Sequence, residues 1–577
     1  MLLRHGLELA PYDPQIGTWL RRWAERAPDR VALGAWDCEG QLETITYGQA
    51  RVMVDRLSQA LLDRGLGASR PVALLSEKSI PYALLTLAAL QVGIPVSPIS
   101  PAYSLRPEAR DRLRFCVETV QPGLVLVDDM LAFAPALAIL PPDTEIVTDA
   151  ELTSIGRLPV SVDAAFAAVN ADTPAKILFT SGSTGVPKPV VNTHRMMCSN
   201  AQAQAQLFPF LLARPPIVVD WQPWHHCGGS NHNFHATLCH GGSYYIDHGK
   251  PTTAEAFAPT IHALRSISPT LHFNVPLGYE RLAFHLDRDP TLARRFFAEL
   301  DCMVYSAASM PSTLWARLER LSTDHCGERV AMVSSYGMTE MGPLHTSLHW
   351  HESAPGRIGL PIPGSMVKLV PVDGRLELRA KGPNVTPGYH GLPTLTAEAF
   401  DEQGWYRSGD AVCLVDPANP ARGLSYEGRL TDQFKLLSGT WVQVNQVRTN
   451  VIAATAPYVE DVLVVGEGRS ELGLLVIANM PACRVLLDRP DLTRQQLCAD
   501  PLFRDRLRQG LDAYNICNPS SSRRIARAVP ILDTPSIESG EMTDKGHINQ
   551  LRAVRNRPDQ VAWLFDASAP DVLVPTL

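Results

Sequence analysis

An apolar run, Ala175-Lys-Ile-Leu-Phe179, leads directly into Thr180-Ser-Gly-Ser-Thr-Gly-Val-Pro-Lys188. A short apolar run followed by small and hydroxyl residues reads as a buried strand feeding a tight loop. Glycines let backbone N–H groups approach an anion closely. The hydroxyls of Thr180, Ser181, Ser183 and Thr184 add donors, Gly182 and Gly185 keep the loop open, and Lys188 brings a point charge. Such a loop suits phosphate. It is not a Walker A loop, because Pro187 stands where that spacing needs a second glycine. Taken alone, the stretch also fits a flexible Ser/Gly turn.

The flanking sequence sets the fold class. Ile16 to Ala27 and Thr46 to Asp63 carry apolar residues at helical spacing, and Tyr82 to Leu90 reads as a buried helix. Pro71 to Leu75, Gly123 to Val127 and Ala175 to Phe179 are strand-like. The alternation predicts α/β layers in a large N-terminal domain. Leu369 to Leu378 predicts a hairpin turning at Asp373-Gly374, part of a small β subdomain. After Arg429 the texture changes to two strand runs, Asp461 to Val465 and Leu472 to Val476, and a helix from about Asp505 to Tyr514. The expected division is residues 1–429 and a smaller, mobile α+β domain at 430–577.

With 577 residues the chain is too long for one core. Hydrophobic residues at 45% and charged residues at 19% describe a globular protein, and a net charge of -7 offers no footprint for nucleic acid. Tyr82 to Val96 is the longest apolar run and is too short and too interrupted to span a bilayer. The N-terminus lacks a signal-peptide layout, and eleven cysteines without a C-x-x-C pair fit a reducing interior. These features predict a cytoplasmic protein.

Four further stretches share the character of the first: Ser335-Tyr-Gly-Met-Thr-Glu340, Tyr406-Arg-Ser-Gly-Asp410, Gly428-Arg-Leu-Thr-Asp-Gln-Phe-Lys435 and Met542-Thr-Asp-Lys-Gly546. In this order the five resemble the motif series of the adenylate-forming superfamily, over a span from about Trp19 to Asn549. The resemblance implies ATP, Mg2+ and coenzyme A as reactants or cofactors. It implies an adenine platform at Tyr336, a phosphate contact at Thr339 and a magnesium ligand at Glu340. Asp410 is implied to accept from the ribose hydroxyls, with Arg429 nearby. Lys545 would contact the acid carboxylate and the α-phosphate, and Lys435 lies on the same small domain. Without the resemblance, Tyr336 reads as a half-buried core residue, Glu340 as a solvated acid, Asp410 and Arg429 as a surface pair and Lys545 as a solvated lysine.

The acid pocket is expected from His226, Ser306, Ser335 and Pro343, with Asn231 and Phe234 shaping it. Between Trp224 and His240, the residues His232, His235 and Cys239 also have spacings that place three metal-ligand types on one α-helical face. The family reading of an acid-lining segment, and plain helix packing, compete with zinc there.

Two departures from the superfamily pattern stand out: Thr431-Asp432 at the expected hinge, and the stretched Lys435-Leu-Leu-Ser-Gly439. The stretched spacing and the Lys545-Gly546 order resemble feruloyl-CoA synthases. So do Val96-Ser-Pro-Ile-Ser-Pro-Ala-Tyr-Ser104, Trp221-Gln-Pro-Trp224, Asn231-His-Asn-Phe234, Gly382-Pro-Asn-Val-Thr-Pro-Gly-Tyr389 and Phe434-Lys-Leu-Leu-Ser-Gly-Thr-Trp-Val442. The implied substrate is an aryl carboxylic acid of the hydroxycinnamate type, and a homodimer is compatible. An enzyme that loads a carrier protein, and an inactive nucleotide-binding relative, remain as alternatives.

Overall fold

The computed structural model describes residues 1–181, 186–306, 310–350, 356–431, 433–536, 539–542 and 548–575, with the side chains of Thr153 and Ser181 excepted. Gly182, Ser183, Thr184, Gly185, Asp432 and Lys545 therefore lie outside the described residues, as do 307–309 of the small-residue segment after Ser306.

The chain forms two compact units that interleave in sequence. Met1–Val370, Leu378–Ser408 and Leu414–Ser425 make the first; Pro371–Glu377, Gly409–Cys413 and Tyr426–Leu577 make the second. In the first unit a six-stranded sheet runs Glu145–Thr148, Leu124–Val127, Val72–Leu75, Val96–Pro98, Pro174–Ser181, Pro187–Thr193. Its strands are parallel until the last, which turns back antiparallel on Pro174–Ser181. Strands buried on both faces should be continuously apolar. Val72 to Leu75 and Leu124 to Val127 are wholly buried. The helix expected over Tyr82 to Leu90 extends to Ile80–Gln91, starting at a Ser79 cap that accepts from the Tyr82 N–H. It is buried nearly all round, which explains its lack of a polar face. Tyr47–Asp63 begins with a reciprocal capping box between Thr46 and Gln49.

A four-stranded sheet (Ile217–Asp220, Ser243–Ile246, Val31–Trp36, Leu42–Thr46) shares the first unit. So do the parallel strands Leu271–Asn274, Cys302–Tyr305 and Ala331–Gly337, followed by antiparallel Leu344–Ser347 and Arg357–Pro361. The segment whose α-helical spacing would align three metal-ligand side chains winds differently. Gly228–Phe234 is π-helical, and an α-helix follows over His235–Cys239. A π turn changes the angular offset between residues, so α-helical spacing no longer aligns His232 with His235 and Cys239. His232 meets the edge of Phe273, His235 packs on Trp19, and the Cys239 carbonyl accepts from the Trp23 indole. Among the described residues no cluster of three His, Cys, Asp or Glu side chains is arranged to hold a metal.

In the second unit, Asp373 and Gly374 both have positive φ, 49° and 81°, the pattern of a tight type I′ hairpin turn. A three-stranded sheet, Val459–Val465, Leu472–Ala478 and Ile525–Pro530, forms the unit's core. Alternate residues face opposite sides. Val462, Val464, Leu474 and Val476 join Val447, Val451, Leu507 and Leu511 of Val444–Thr455 and Pro501–Cys517. Leu463, Val465, Leu475 and Ile477 instead meet Ala553 and Leu564 of the last two helices. Among the described residues no helix is long and apolar enough to cross a membrane.

Candidate active site

Ser335-Tyr-Gly-Met-Thr-Glu340 occupies the end of strand Ala331–Gly337 and a 3-10 turn over Thr339–Met341. Gly337 is obligatory there, since a Cβ would lie 1.7 Å from the Pro343 carbonyl oxygen. That close approach brings Pro343 to the strand end. The register pairs Tyr305 with Ser334, so Ser306 and Ser335 follow side by side where the parallel pairing of the two strands ends. The carboxyl ends of parallel strands are common ligand positions. The Ser335 hydroxyl bonds that of Ser347 at 3.0 Å, and Tyr336 is buried with Thr346 as its cross-strand partner.

Glu340 is 4% exposed, so it is not the solvated acid its sequence context alone implies. Its Oε1 accepts from the Tyr389 hydroxyl at 3.2 Å, and Tyr389 in turn bonds the Tyr406 hydroxyl at 3.2 Å. The same Tyr389 ring lies 5.6 Å from the Lys188 ammonium. One aromatic side chain thus links the lysine of the phosphate-type loop to the buried carboxylate. Lys188 is fixed by pairing opposite Thr180.

Thr339 is held from the other side. The Asn192 amide donates to its carbonyl at 3.1 Å, and its hydroxyl reaches the Cys227 sulfur at 3.4 Å. Asn231 donates to Asn192 at 2.5 Å, which ties the π-helical segment to this turn. His226 precedes that segment; its carbonyl accepts from the Ser230 N–H and hydroxyl at 3.1 and 3.0 Å.

In the second unit Asp410 is 3% exposed, and its Oδ1 accepts from Arg429 Nε at 3.0 Å and from the Tyr426 hydroxyl at 3.4 Å. The Arg429 side chain is about half exposed. Lys435 is exposed, 4.8 Å above the Trp441 ring of its cross-strand neighbour. The stretched Lys435-to-Gly439 segment forms a turn closed by the Leu436 N–H on the Thr440 carbonyl and by Gly439 at φ 80°. The chain on either side of residues 543–547 is joined by a bridge between Met542 and Ile548.

Several buried polar groups escape the sequence reading. Lys78 donates to the Asp220 carbonyl at 2.5 Å, while Tyr244, Asn233 and the Gln222 N–H converge on the Asp220 carboxylate. Burial lowers Lys78 to about 8 against the opposing pull of Asp220, Asp247 and Glu77. His194, His272, His232 and His345 are all buried, and burial pushes them down to about 3, 3, 4 and 4.

Those depressed values carry a stability consequence with a definite sign. The unfolded imidazoles bind protons near 6.5 and the folded ones well below, so stability is complete above about 6.5 and falls as pH drops toward 3–4. Each buried histidine contributes up to about 1.4 kcal/mol per pH unit in that window. The melting temperature should fall steadily between pH 7 and pH 5. A flat profile over that range would rule out neutral burial of these four rings.

An AMP-binding enzyme family model matches residues 20–390. The chain belongs to that family. It is 28% identical over 441 residues to a probable non-canonical nonribosomal peptide synthetase, CymA, from Salinispora arenicola, covering 72% of this chain. The chain spans only 5% of that synthetase's length. It is 24% identical over 475 residues to 3-hydroxybenzoate–CoA ligase of an Aromatoleum species, covering 77% of this chain and 83% of the relative. In fold it resembles ATP-bound MatB from Rhodopseudomonas palustris at a TM-score of 0.68 and 21% identity, over 94% of this chain and 99% of the other. The α/β architecture, with a large unit and a smaller one, is thereby that of adenylate-forming enzymes.

Proposed function

We propose that this AMP-binding enzyme is an acid–CoA ligase that activates an aryl carboxylic acid of the hydroxycinnamate type, such as ferulate. The observation that carries the reading is the chain Lys188–Tyr389–Glu340 beside the braced Thr339 turn. A cation and a buried carboxylate are held at the loop pair whose sequence pattern suits a nucleotide's phosphates. An aryl acid–CoA ligase among the relatives supports the choice of acceptor and acid class.

A carboxylate resists nucleophiles because its charge repels them and oxide is a poor leaving group. In the first half-reaction the carboxylate oxygen attacks the α-phosphorus of ATP, the bond to the bridging oxygen breaks, and pyrophosphate leaves. In the second, the CoA sulfur attacks the acyl carbon and AMP departs, with the thiol proton lost to solvent. Neither step needs a protein nucleophile, so positioning and charge stabilisation carry the catalysis. Lys188, Thr180, Ser181, Ser183 and Thr184, with Gly182 and Gly185, are assigned the phosphates, Tyr336 the adenine, and Asp410 with Arg429 the ribose. Asp410 suits that role as a buried carboxylate whose orientation is fixed by contacts of its Oδ1 with Arg429 and Tyr426. Lys545 is assigned the acid carboxylate and α-phosphate, and Lys435 the thioester-forming half-reaction. His226, Ser306, Ser335 and Pro343 are assigned the acid. Glu340 suits Mg2+, a hard cation commonly held by one carboxylate plus substrate phosphates. Bound there, the ion would neutralise phosphate charge.

Hydroxylamine trapping of the acyl-adenylate across aryl, short-chain and long-chain acids, with and without CoA, tests the reading. The expected result is selective trapping with hydroxycinnamates and CoA-dependent release of AMP. Trapping that CoA does not relieve would favour a carrier-protein loader, a reading supported by the peptide-synthetase relative. Equal turnover of acetate and fatty acids would overturn the substrate class.

The role given to Tyr389 makes a separate prediction. Tyr389→Phe keeps the ring facing Lys188 and removes the hydroxyl from Glu340. A hydrogen bond to a charged group is worth about 1.5–3 kcal/mol. The Mg2+ concentration for half-maximal adenylation should therefore rise about tenfold, with ATP affinity in the absence of metal unchanged by calorimetry. Unaltered Mg2+ dependence would remove Tyr389 from the site.

A further inference from the structure

Lys176 breaks the apolar pattern of its strand. It is 1% exposed, yet among the described residues it has no ion pair and no hydrogen bond to its ammonium group. An isolated buried ammonium costs several kcal/mol, and a residue that violates the local rule commonly marks a functional position. Its side chain faces a narrow cavity with room for about one water-sized group. Tyr82, Thr86, Pro98, Trp224, Ser230 and Phe234 form the walls. The Thr86 hydroxyl is a second buried polar group without a partner among the described residues.

The cavity borders the groups already assigned to the reaction. Lys176 pairs in register with Asn192, whose amide holds the Thr339 carbonyl and whose oxygen receives Asn231. Ser230, one wall, donates to the His226 carbonyl. The Trp224 ring, another wall, lies tilted with its centroid 5.3 Å from that of Tyr82 and 4.9 Å from that of Phe234, so the sides are aromatic. The chamber thus offers aromatic and apolar sides, the unpartnered Thr86 hydroxyl and an ammonium with three unused donors. Such a site takes the oxygen substituent of a planar aryl group, with no room for the ring itself.

We propose that Lys176 is a specificity-determining residue that binds the phenolic oxygen at the far end of the acid, with Thr86 as its second polar contact. This rests on the acid-ligase reading above. Burial lowers the amine to about 7, opposed only by the Cys227 thiol, so it exchanges a proton with a phenol readily. An acid lacking that oxygen leaves the amine and the hydroxyl unmatched, which is the strongest form of discrimination a buried site exerts.

The experiment uses the full chain and three acids: cinnamate, 4-hydroxycinnamate and 4-methoxycinnamate. Adenylation is followed by hydroxylamine trapping in the wild type and in Lys176→Met, which keeps the length and loses the charge. The ratio of kcat/KM for 4-hydroxycinnamate over cinnamate should fall at least about tenfold in Lys176→Met, with cinnamate itself turned over no more slowly. A purely structural lysine would slow all three acids alike and leave the ratio unchanged, which overturns the proposal. Should Lys176→Met not fold, the absorption spectrum of 4-hydroxycinnamate bound to the wild type decides. A shift toward the phenolate supports the contact, and a spectrum identical to the free phenol overturns it. A wild type that traps CoA-relieved adenylates only from acids without an aromatic ring would remove the underlying reading instead.

Discussion

Lys545→Ala should slow adenylation by about a hundred- to a thousandfold, the usual cost of removing one charge-stabilising donor, and leave thioester formation from a supplied acyl-adenylate near the wild-type rate. The division follows from the chemistry. Attack of one anion on another is the step that needs a cation between them, whereas the second step begins from a neutral acyl carbon already attached to a good leaving group. Rates of the two half-reactions measured separately in the same variant check it. Parallel losses in both would mean that Lys545 supports the fold of its segment instead of the charge at the α-phosphorus.

How much of this was readable from the chain depends on whether a feature is local. The helix from Thr46 to Asp63, the Asp373-Gly374 turn and the apolar strands at Val72 and Leu124 are decided within a few residues, and each appears where the pattern places it. The motif order pointed to the family because its glycines and hydroxyls form short local patterns, readable without knowledge of distant packing. What escaped the reading is tertiary. Glu340 is buried because Tyr389, forty-nine residues away, closes over it. The π turn at Gly228–Phe234 escaped because α-helical spacing was assumed for a segment rich in glycine and asparagine, braced by Asn231 on Asn192 and Asn233 on Asp220. Lys176 was visible as one charge in an apolar run, but only the fold shows the chamber it faces. The interleaving of the two units is invisible to any linear reading, since Pro371–Glu377 and Gly409–Cys413 belong with a unit that otherwise starts at Tyr426.

Arg557→Met should destabilise the second unit by about 3–5 kcal/mol, because it strands a buried carboxylate. Arg557 and Glu541 are 3% and 2% exposed, and the guanidinium meets Glu541 Oε2 at 2.8 Å. Asn556 satisfies the other oxygen at 2.6 Å, and Arg557 also donates to the Asp533 and Ala553 carbonyls. Its contact with the largely exposed Asp533 carboxylate adds little by comparison. Because desolvation of the two charges offsets most of their attraction, the double variant Glu541→Leu/Arg557→Met should recover much of the loss. Denaturant unfolding of the single and double variants, followed by a probe in the second unit, measures both quantities. The pair borders residues 543–547, which carry the lysine proposed for adenylation: the Glu541 carbonyl accepts from the Asn549 N–H at 2.7 Å across that segment's ends. The single variant should therefore lose adenylation more than thioester formation even where it remains folded. A double variant as unstable as the single one would show that the ion pair itself, and not merely the absence of an orphaned charge, holds this part of the fold.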